Sequence, residues 1–485
     1  GGQNSQHTDK LKQSNELVEM ATASNVIPDP EYALITSPGF SKVRATAMTD
    51  SPSSTGMYHF GGLVDEFIIT TSNGLIKRDN ANPPGSITGG TALTSSGTNY
   101  VRFDVHENLV HIVSQSRDIP QTINSSMTRA DLGGTPPRGI DYKVFGRRGI
   151  MFSPSDGTTI YRGYASYNSA NDDQDAWTTP YTTNKLNFGR EGTKANVLGG
   201  ELFEDHCMAF TEDMIFPIYA TPNADQPLSF QSPVFKEDNG GPPIIHSVVA
   251  ADGKLFWISR NFDVKMMTRD LRVHSIGYPV QPFLRGLSDS RRTSAIGGYE
   301  PRYQLVIWAV SDGSDTQNND CLLYHIPTGQ FYCRTLSRNA FANRVVSGQA
   351  RLIGGGYTGF IYNEFDSSTT GDLDDSAAAI DADIITPRHH LGLPDLRKRV
   401  RFVEVEFDPI GSEVVTVQRR YDDSTTWGSF SSTASISGTD VYRKRFYFGS
   451  VFRRVQLRFR DAISGERFRL IRYGFPKPVW TGPAA

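Results

Sequence analysis

LVDEFIITTSNGLIKR, residues Leu63–Arg78, decides the fold class. Phe67, Ile68 and Ile69 form an apolar run, Ser72-Asn73-Gly74 interrupts it, and Leu75-Ile76 resumes it before Lys77-Arg78. Aromatic and β-branched side chains suit a pleated surface, and Asn-Gly tolerates the positive φ of a tight hairpin turn. The same unit of strand, turn and strand recurs along the chain. It is legible at Asn108–Val113, Val144–Tyr161 (VFGRRGIMFSPSDGTTIY), His206–Tyr219, Lys254–Met267 (KLFWISRNFDVKMM), Tyr303–Tyr332 and Arg351–Tyr362 (RLIGGGYTGFIY). Ser155-Asp156-Gly157, Asp252-Gly253 and Asp312-Gly313 repeat the turn chemistry. Units start mostly about 36–50 residues apart, the size of a four-stranded propeller blade. Gln304–Val310 (QLVIWAV) is apolar almost throughout, as a strand buried on both faces should be.

These runs predict a mostly β chain whose residues 61–365 form an irregular β-propeller-like domain. The spacing is too uneven to fix the number of blades, about six on this count, and a pair of β-sandwiches is the alternative. Residues 1–60 read as an extended N-terminal segment. Leu11, Leu17, Val18 and Met20 give only a trace of helical periodicity, and Pro28, Pro30, Pro38 and Gly39 keep the rest extended. Residues 366–393, acidic and rich in small side chains over Asp366–Asp383, read as a linker or exposed loop. Residues 394–485 read as a small antiparallel β-sandwich. There Val455, Leu457 and Phe459 alternate with Gln456 and Arg458, so one face turns inward and the other is polar.

Charge divides the chain along the same boundary. The whole carries −3, but residues 1–396 hold 32 basic and 43 acidic side chains, whereas 397–485 hold 17 basic and 9 acidic. A basic C-terminal unit beside an acidic body indicates a different neighbour for each. The basic residues cluster as Arg397, Lys398, Arg399 and Arg401, then Arg443, Lys444 and Arg445, then Arg453 and Arg454, interleaved with Phe402, Phe446, Tyr447 and Phe452. Such a pattern holds phosphates and stacks bases, or it meets an acidic protein face; the acidic body favours the protein partner. The nine basic residues are therefore interface candidates.

Catalytic and metal chemistry finds little footing. His389-His390 point to opposite sides of a strand, and Asp372, Asp374 and Asp375, like Asp172, Asp173 and Asp175, lack calcium-loop spacing. Ser153–Thr158 and Asp422–Trp427 are similar to sialidase Asp-box turns, but the first lacks the tryptophan and the second the glycine. No G-x-S-x-G elbow is present, and no P-loop lysine follows Gly354-Gly355-Gly356. Cys207, Cys321 and Cys333 are too few for a disulfide framework. Buried free thiols and folding in a reducing compartment are expected, although Cys321 and Cys333 are spaced for a hairpin bridge. No apolar run reaches the length, about 20 residues, of a membrane-spanning helix. The expectation is a protein that is not an enzyme and takes no cofactor. A glycan-binding or glycan-cleaving propeller for host attachment and a sheet-based nucleic-acid binder are the alternatives.

Three stretches carry a resemblance. Ser37-Pro38-Gly39-Phe40 closes the N-terminal segment; Gly139–Tyr161 holds Tyr142, Gly146, Arg147 and the Ser155-Asp156-Gly157 turn; Tyr442–Arg460 holds Arg445, Gly449 and Arg453-Arg454. In this order they resemble the tail nozzle (hub) proteins of short-tailed phages, in particular the packaged-DNA stabilisation protein family of P22-like phages. The resemblance implies a structural protein of the virion tail, folded and assembled in the host cytoplasm. It further implies a ring, hexameric in the family, below the head-to-tail connector. Implied partners are other copies of the chain, portal and adaptor proteins, and tail fibre, spike or needle proteins. Genomic DNA would pass through the lumen without sequence specificity.

Overall fold

The computed structural model describes residues 22–28, 33–61, 64–179, 183–191, 196–236, 244–313, 315–346, 348–366, 374–375, 378–391, 396–409, 413–430, 434–436, 442–463, 467–476 and 478–483. The helical trace at Leu11–Met20 and the side chains of Asp372, Asp374 and Asp375 lie outside them.

Seven antiparallel blades of four or five strands make up the larger part, six as separate sheets and one, the sixth, as the first four strands of a longer sheet. Their first strands are Ser54–Phe60, Val101–His106, Asp141–Phe145, Val197–Phe203, Val249–Ala251, Ile296–Glu300 and Ala340–Val346. Each packs beside the next, and the seventh returns to the first, so they line the centre of a closed ring. Strands two to four step outward in chain order in the first six blades, and strands two and three do so in the seventh. This is a seven-bladed β-propeller, one blade more than the uneven spacing suggested. Each of the seven runs read from sequence falls in its own blade. Asp252 and Gly253, at φ +49° and +63°, join Val249–Ala251 to Lys254–Ile258 as the sequence requires of them.

Closure comes from the N-terminal segment. Ser41–Lys42 pairs with Ile361–Asn363 and supplies the outermost strand of blade 7, with Lys42 opposite Tyr362 and Ser41 opposite Asn363. Phe40 packs edge-on against Tyr362 at 5.0 Å, and the Arg338 guanidinium lies 4.0 Å from the Tyr362 ring centre. Arg338 is itself buried and ion-paired with the buried Glu364.

The remaining strands form the sandwich. One of its sheets prolongs blade 6: beyond Gln330–Thr335 come Thr22–Ser24 in parallel, then Ala382–Ile385, Val455–Asp461, Glu413–Tyr421 and Gly428–Ser429. The facing sheet runs Val26–Pro28, Leu34–Thr36, Phe468–Gly474, Phe402–Pro409 and Tyr442–Tyr447. The described part of the N-terminal segment is thus woven into this molecule, and Ser54–Phe60, assigned to that segment from sequence, is the first strand of blade 1. Ala23, Val26, Ile27 and Leu34 are buried in the core, so no free arm is made of residues 22–28 or 34–36. Residues 382–385, assigned to the connecting loop from sequence, lie mid-sheet because Ala382 and Ile384 turn inward while Asp383 and Ile385 are only half-buried. One apolar core joins Leu305, Ile307 and Leu323 of blade 6 to Val403, Phe407, Leu457 and Phe459 of the sandwich. Burying each such side chain contributes about 1.5–3 kcal/mol, so the two parts are packed as one body.

All three cysteines are free thiols. Cys321 pairs across the hairpin with Arg334, and Cys333 with Leu322, so the two sulfurs point to opposite faces of the sheet and no bridge forms. Among the described residues no helix is long and apolar enough to cross a membrane.

Candidate functional site: the basic end of the sandwich and the propeller channel

Strand pairing divides the nine basic candidates. Lys398 is fully buried; its Nζ donates to the Arg453 carbonyl at 2.7 Å, and its backbone pairs with Phe452. It anchors the loop between Tyr447 and Val455 from inside the sandwich. Arg443 and Arg445 project from the outer face of the edge strand Tyr442–Tyr447. Arg443 pairs with Glu406 at 3.0 Å and Arg445 with Glu404 at 2.9 Å, while Arg472 shares Glu406 at 2.5 Å. Arg445 also lies 4.7 Å from the centre of Phe402, and Lys444 lies 5.8 Å from that of Phe446. These arginines neutralise carboxylates of their own sheet. At exposed positions such pairs stabilise by about 0–1 kcal/mol each, so their main effect is to cancel charge locally.

Four others remain uncompensated. Arg399, Arg401, Arg453 and Arg454 are exposed and form no ion pair among the described residues. Asp422 fixes the loop that carries two of them, accepting the backbone N–H of Arg453 at 2.7 Å and of Arg454 at 2.9 Å. Arg397 is also exposed. Pairing gathers them: Arg399 lies opposite Val479, and the Arg401 carbonyl accepts the Phe448 N–H. Large apolar side chains stand beside them in the open, Tyr447 at 58%, Val451 at 42% and Val479 at 66% exposure. Mixed arginine and apolar surface of this kind is the usual composition of a protein-contact patch.

The propeller channel offers a second group, which the sequence did not single out. Arg102 bonds Asp141 at 3.2 Å and Glu201 at 2.9 Å, and Lys143 bonds Glu201 at 3.0 Å, tying blades 2, 3 and 4 together. Burial works against the Lys143 ammonium, but the carboxylates of Glu201, Asp141 and Asp104 together outweigh it and its pKa is raised. Burial likewise opposes ionisation of Glu201, yet Lys143 and Arg102 hold its pKa low. Across the channel Tyr100 and Tyr357 both donate to the Asn339 side-chain oxygen at 3.0 Å, and Asn339 donates to the Ser54 carbonyl at 2.7 Å. The space left is about 170 Å³. Every cation here is met by a carboxylate, which is the chemistry of a pinned wall. The available signal was a charge in each of three successive short strands, VRFDVH, DYKVF and VLGGELF.

The channel's His246 is buried against Tyr100, which holds its pKa well below the usual imidazole range, through burial first and the Arg102 charge second. His389 is buried too, its Nε2 at 3.1 Å from the Tyr473 hydroxyl, while its neighbour His390 is only half-buried. Asp172 pairs with Arg147. Among the described residues no three His, Cys, Asp or Glu side chains converge as a metal set would.

No protein-family model matches the chain, and no curated protein does. Among solved structures it is similar to the C-terminal WD40 domain of Sif2, at 12% identity over 73% of this chain and 98% of that one, with a TM-score of 0.39. It is also similar to BBS1N in its complex with ARL6DN, at 9% identity over 71% of this chain and 98% of that one, with a TM-score of 0.43. The propeller itself stands on the seven blades and their closed ring of inner strands.

Proposed function

We propose that this chain is a structural protein of a virion tail, a nozzle or hub subunit that acts by assembly and carries out no turnover. The observation that carries the interaction role is the uncompensated group Arg399, Arg401, Arg453 and Arg454 beside exposed Tyr447, Val451 and Val479. A flexible surface would lose this patch's binding energy to ordering, whereas here the sandwich shares a core with the propeller and presents it preformed. The tail assignment is supported by the sequence resemblance alone. On that reading the patch meets an acidic face of another copy or of the connector, and copies close into a ring through which DNA passes.

Native mass spectrometry and particle imaging of the purified protein, alone and mixed with connector components, test this. A closed ring, or a monomer that becomes a ring on the connector, supports the reading, and Arg453→Glu with Arg454→Glu should abolish it. A monomer that ignores virion proteins but binds or cleaves surface glycans would replace it with the attachment propeller. Salt-sensitive DNA binding lost with the same two substitutions, without ring formation, would favour the nucleic-acid reading.

A further inference from the structure

Successive strands of a blade alternate in direction, so the turn between the second and third strands of every blade opens on one face of the propeller. On that face, the turns of blades 2, 3 and 5 bring Arg117, Arg162 and Arg260 to one cleft of about 360 Å³, and the turn of blade 4 brings Glu212. The floor is aliphatic, with Ile140, Ile160, Val197 and Ile244 among its residues, and no aromatic ring lines it.

The charges do not balance. Glu212 is the single carboxylate among the lining residues, and its bonds are long: 3.4 Å to Arg260, and 3.3 and 3.4 Å to Asn196. Arg117 donates one terminal N–H to the Ser153 hydroxyl at 3.0 Å, while its Nε is buried without a partner. Arg162 is exposed and its side chain has no partner among the described residues. The Arg117 guanidinium has its pKa lowered by burial and then by the like charge of Arg162. Two guanidinia held near each other without a counter-charge, one with a buried unpartnered N–H, raise the energy of the empty cleft. A carboxylate placed between them would relieve it through charge-assisted hydrogen bonds.

We infer that this cleft docks a peptide segment of a partner protein, one in which an acidic side chain neighbours an aliphatic one. The acid would sit between Arg117 and Arg162, where the planar guanidinium matches a planar carboxylate, and the aliphatic group would cover the isoleucine floor. Nucleic acid fits less well, because no aromatic ring lines the cleft to serve as a base-stacking platform. This site lies on the propeller and is separate from the basic end of the sandwich, so it stands or falls apart from the tail assignment.

The test is selection of a random heptapeptide display library against the full chain, followed by fluorescence anisotropy of the recovered peptides. Expected are sequences with Asp or Glu next to Leu, Ile or Val, binding about tenfold more weakly to Arg162→Ala and more weakly still to Arg162→Glu. Replacing the peptide's acid by its amide should have the same effect. Arg269→Ala, on the opposite face and 74% exposed, should bind as the unmodified chain does. Recovered peptides without an acidic consensus, or affinities indifferent to both Arg162 substitutions, would overturn the inference. Competition by inorganic phosphate with no peptide selected would also overturn it, in favour of a phosphate site.

Discussion

Mild acid should unfold this protein through a small set of histidines buried in the neutral form. His325 and His389 are each pushed down to about 4, His325 by burial and His389 by burial with a smaller push from His390. His111, stacked on Tyr142 at 4.6 Å, is pushed down to about 3 by burial and then by the charge of His106. In the unfolded chain each returns to about 6.5. The native value is the depressed one, so the unfolded state binds more protons below pH 6.5. The stabilisation is complete above that value and is lost as pH falls from 6.5 towards 4. At pH 5 each of the three costs about 2 kcal/mol, about 6 kcal/mol together, against a typical domain stability of about 5–15 kcal/mol. Urea denaturation followed by circular dichroism at several values between pH 7 and pH 5 measures this. The free energy of unfolding should fall with a slope approaching four protons, one each from His111, His325, His389 and the channel's His246, and His389→Gln should remove about one of them. A stability flat across that interval, or a slope unchanged in the variant, would refute buried neutral imidazoles as the cause.

Lys398→Ala removes a fully buried ammonium that holds the Arg453 carbonyl, and should cost about 1–3 kcal/mol in urea denaturation. Arg338→Ala leaves the Glu364 carboxylate buried and alone beneath the closing strand of blade 7. A loss of about 3–5 kcal/mol is expected, read as a lower thermal midpoint and earlier proteolysis near Phe40. Gly200→Ala would drive a methyl into the Phe152 ring, with an overpacking cost of about 1–3 kcal/mol by the same denaturation assay. By contrast, Arg453→Glu with Arg454→Glu should shift stability by no more than about 0.5 kcal/mol, since both side chains are exposed and unpaired; a large loss in denaturation would show a structural role instead.

The outer strands of the blades and the paired strands of the sandwich were legible because their signals are local. A strand such as Leu305–Val310 announces itself by an unbroken apolar run, and Asp252-Gly253 by the backbone angles it tolerates. The innermost strands gave weak signals for a physical reason. They line a polar channel and lie close to one another, so VRFDVH and DYKVF carry charges and IGGYE carries glycines, a Cβ at Gly297 running into Val249. Two of their turns, Glu107-Asn108 and Gly146-Arg147, also take positive φ without an Asn-Gly or Asp-Gly pair to announce it.

Sequence alone determined that the chain is β, where most hairpins lie, and that charge changes sign near residue 397, since these depend on neighbours a few positions apart. Tertiary structure decided the seven-fold count, the closure of blade 7 by Ser41–Lys42, and the place of Thr22–Ser24, Val26–Pro28 and Leu34–Thr36 in the sandwich. It also decided which arginines are free. Arg443 and Arg453 read alike in sequence, but only pairing with a distant strand gives Arg443 its Glu406 and leaves Arg453 at the surface with none.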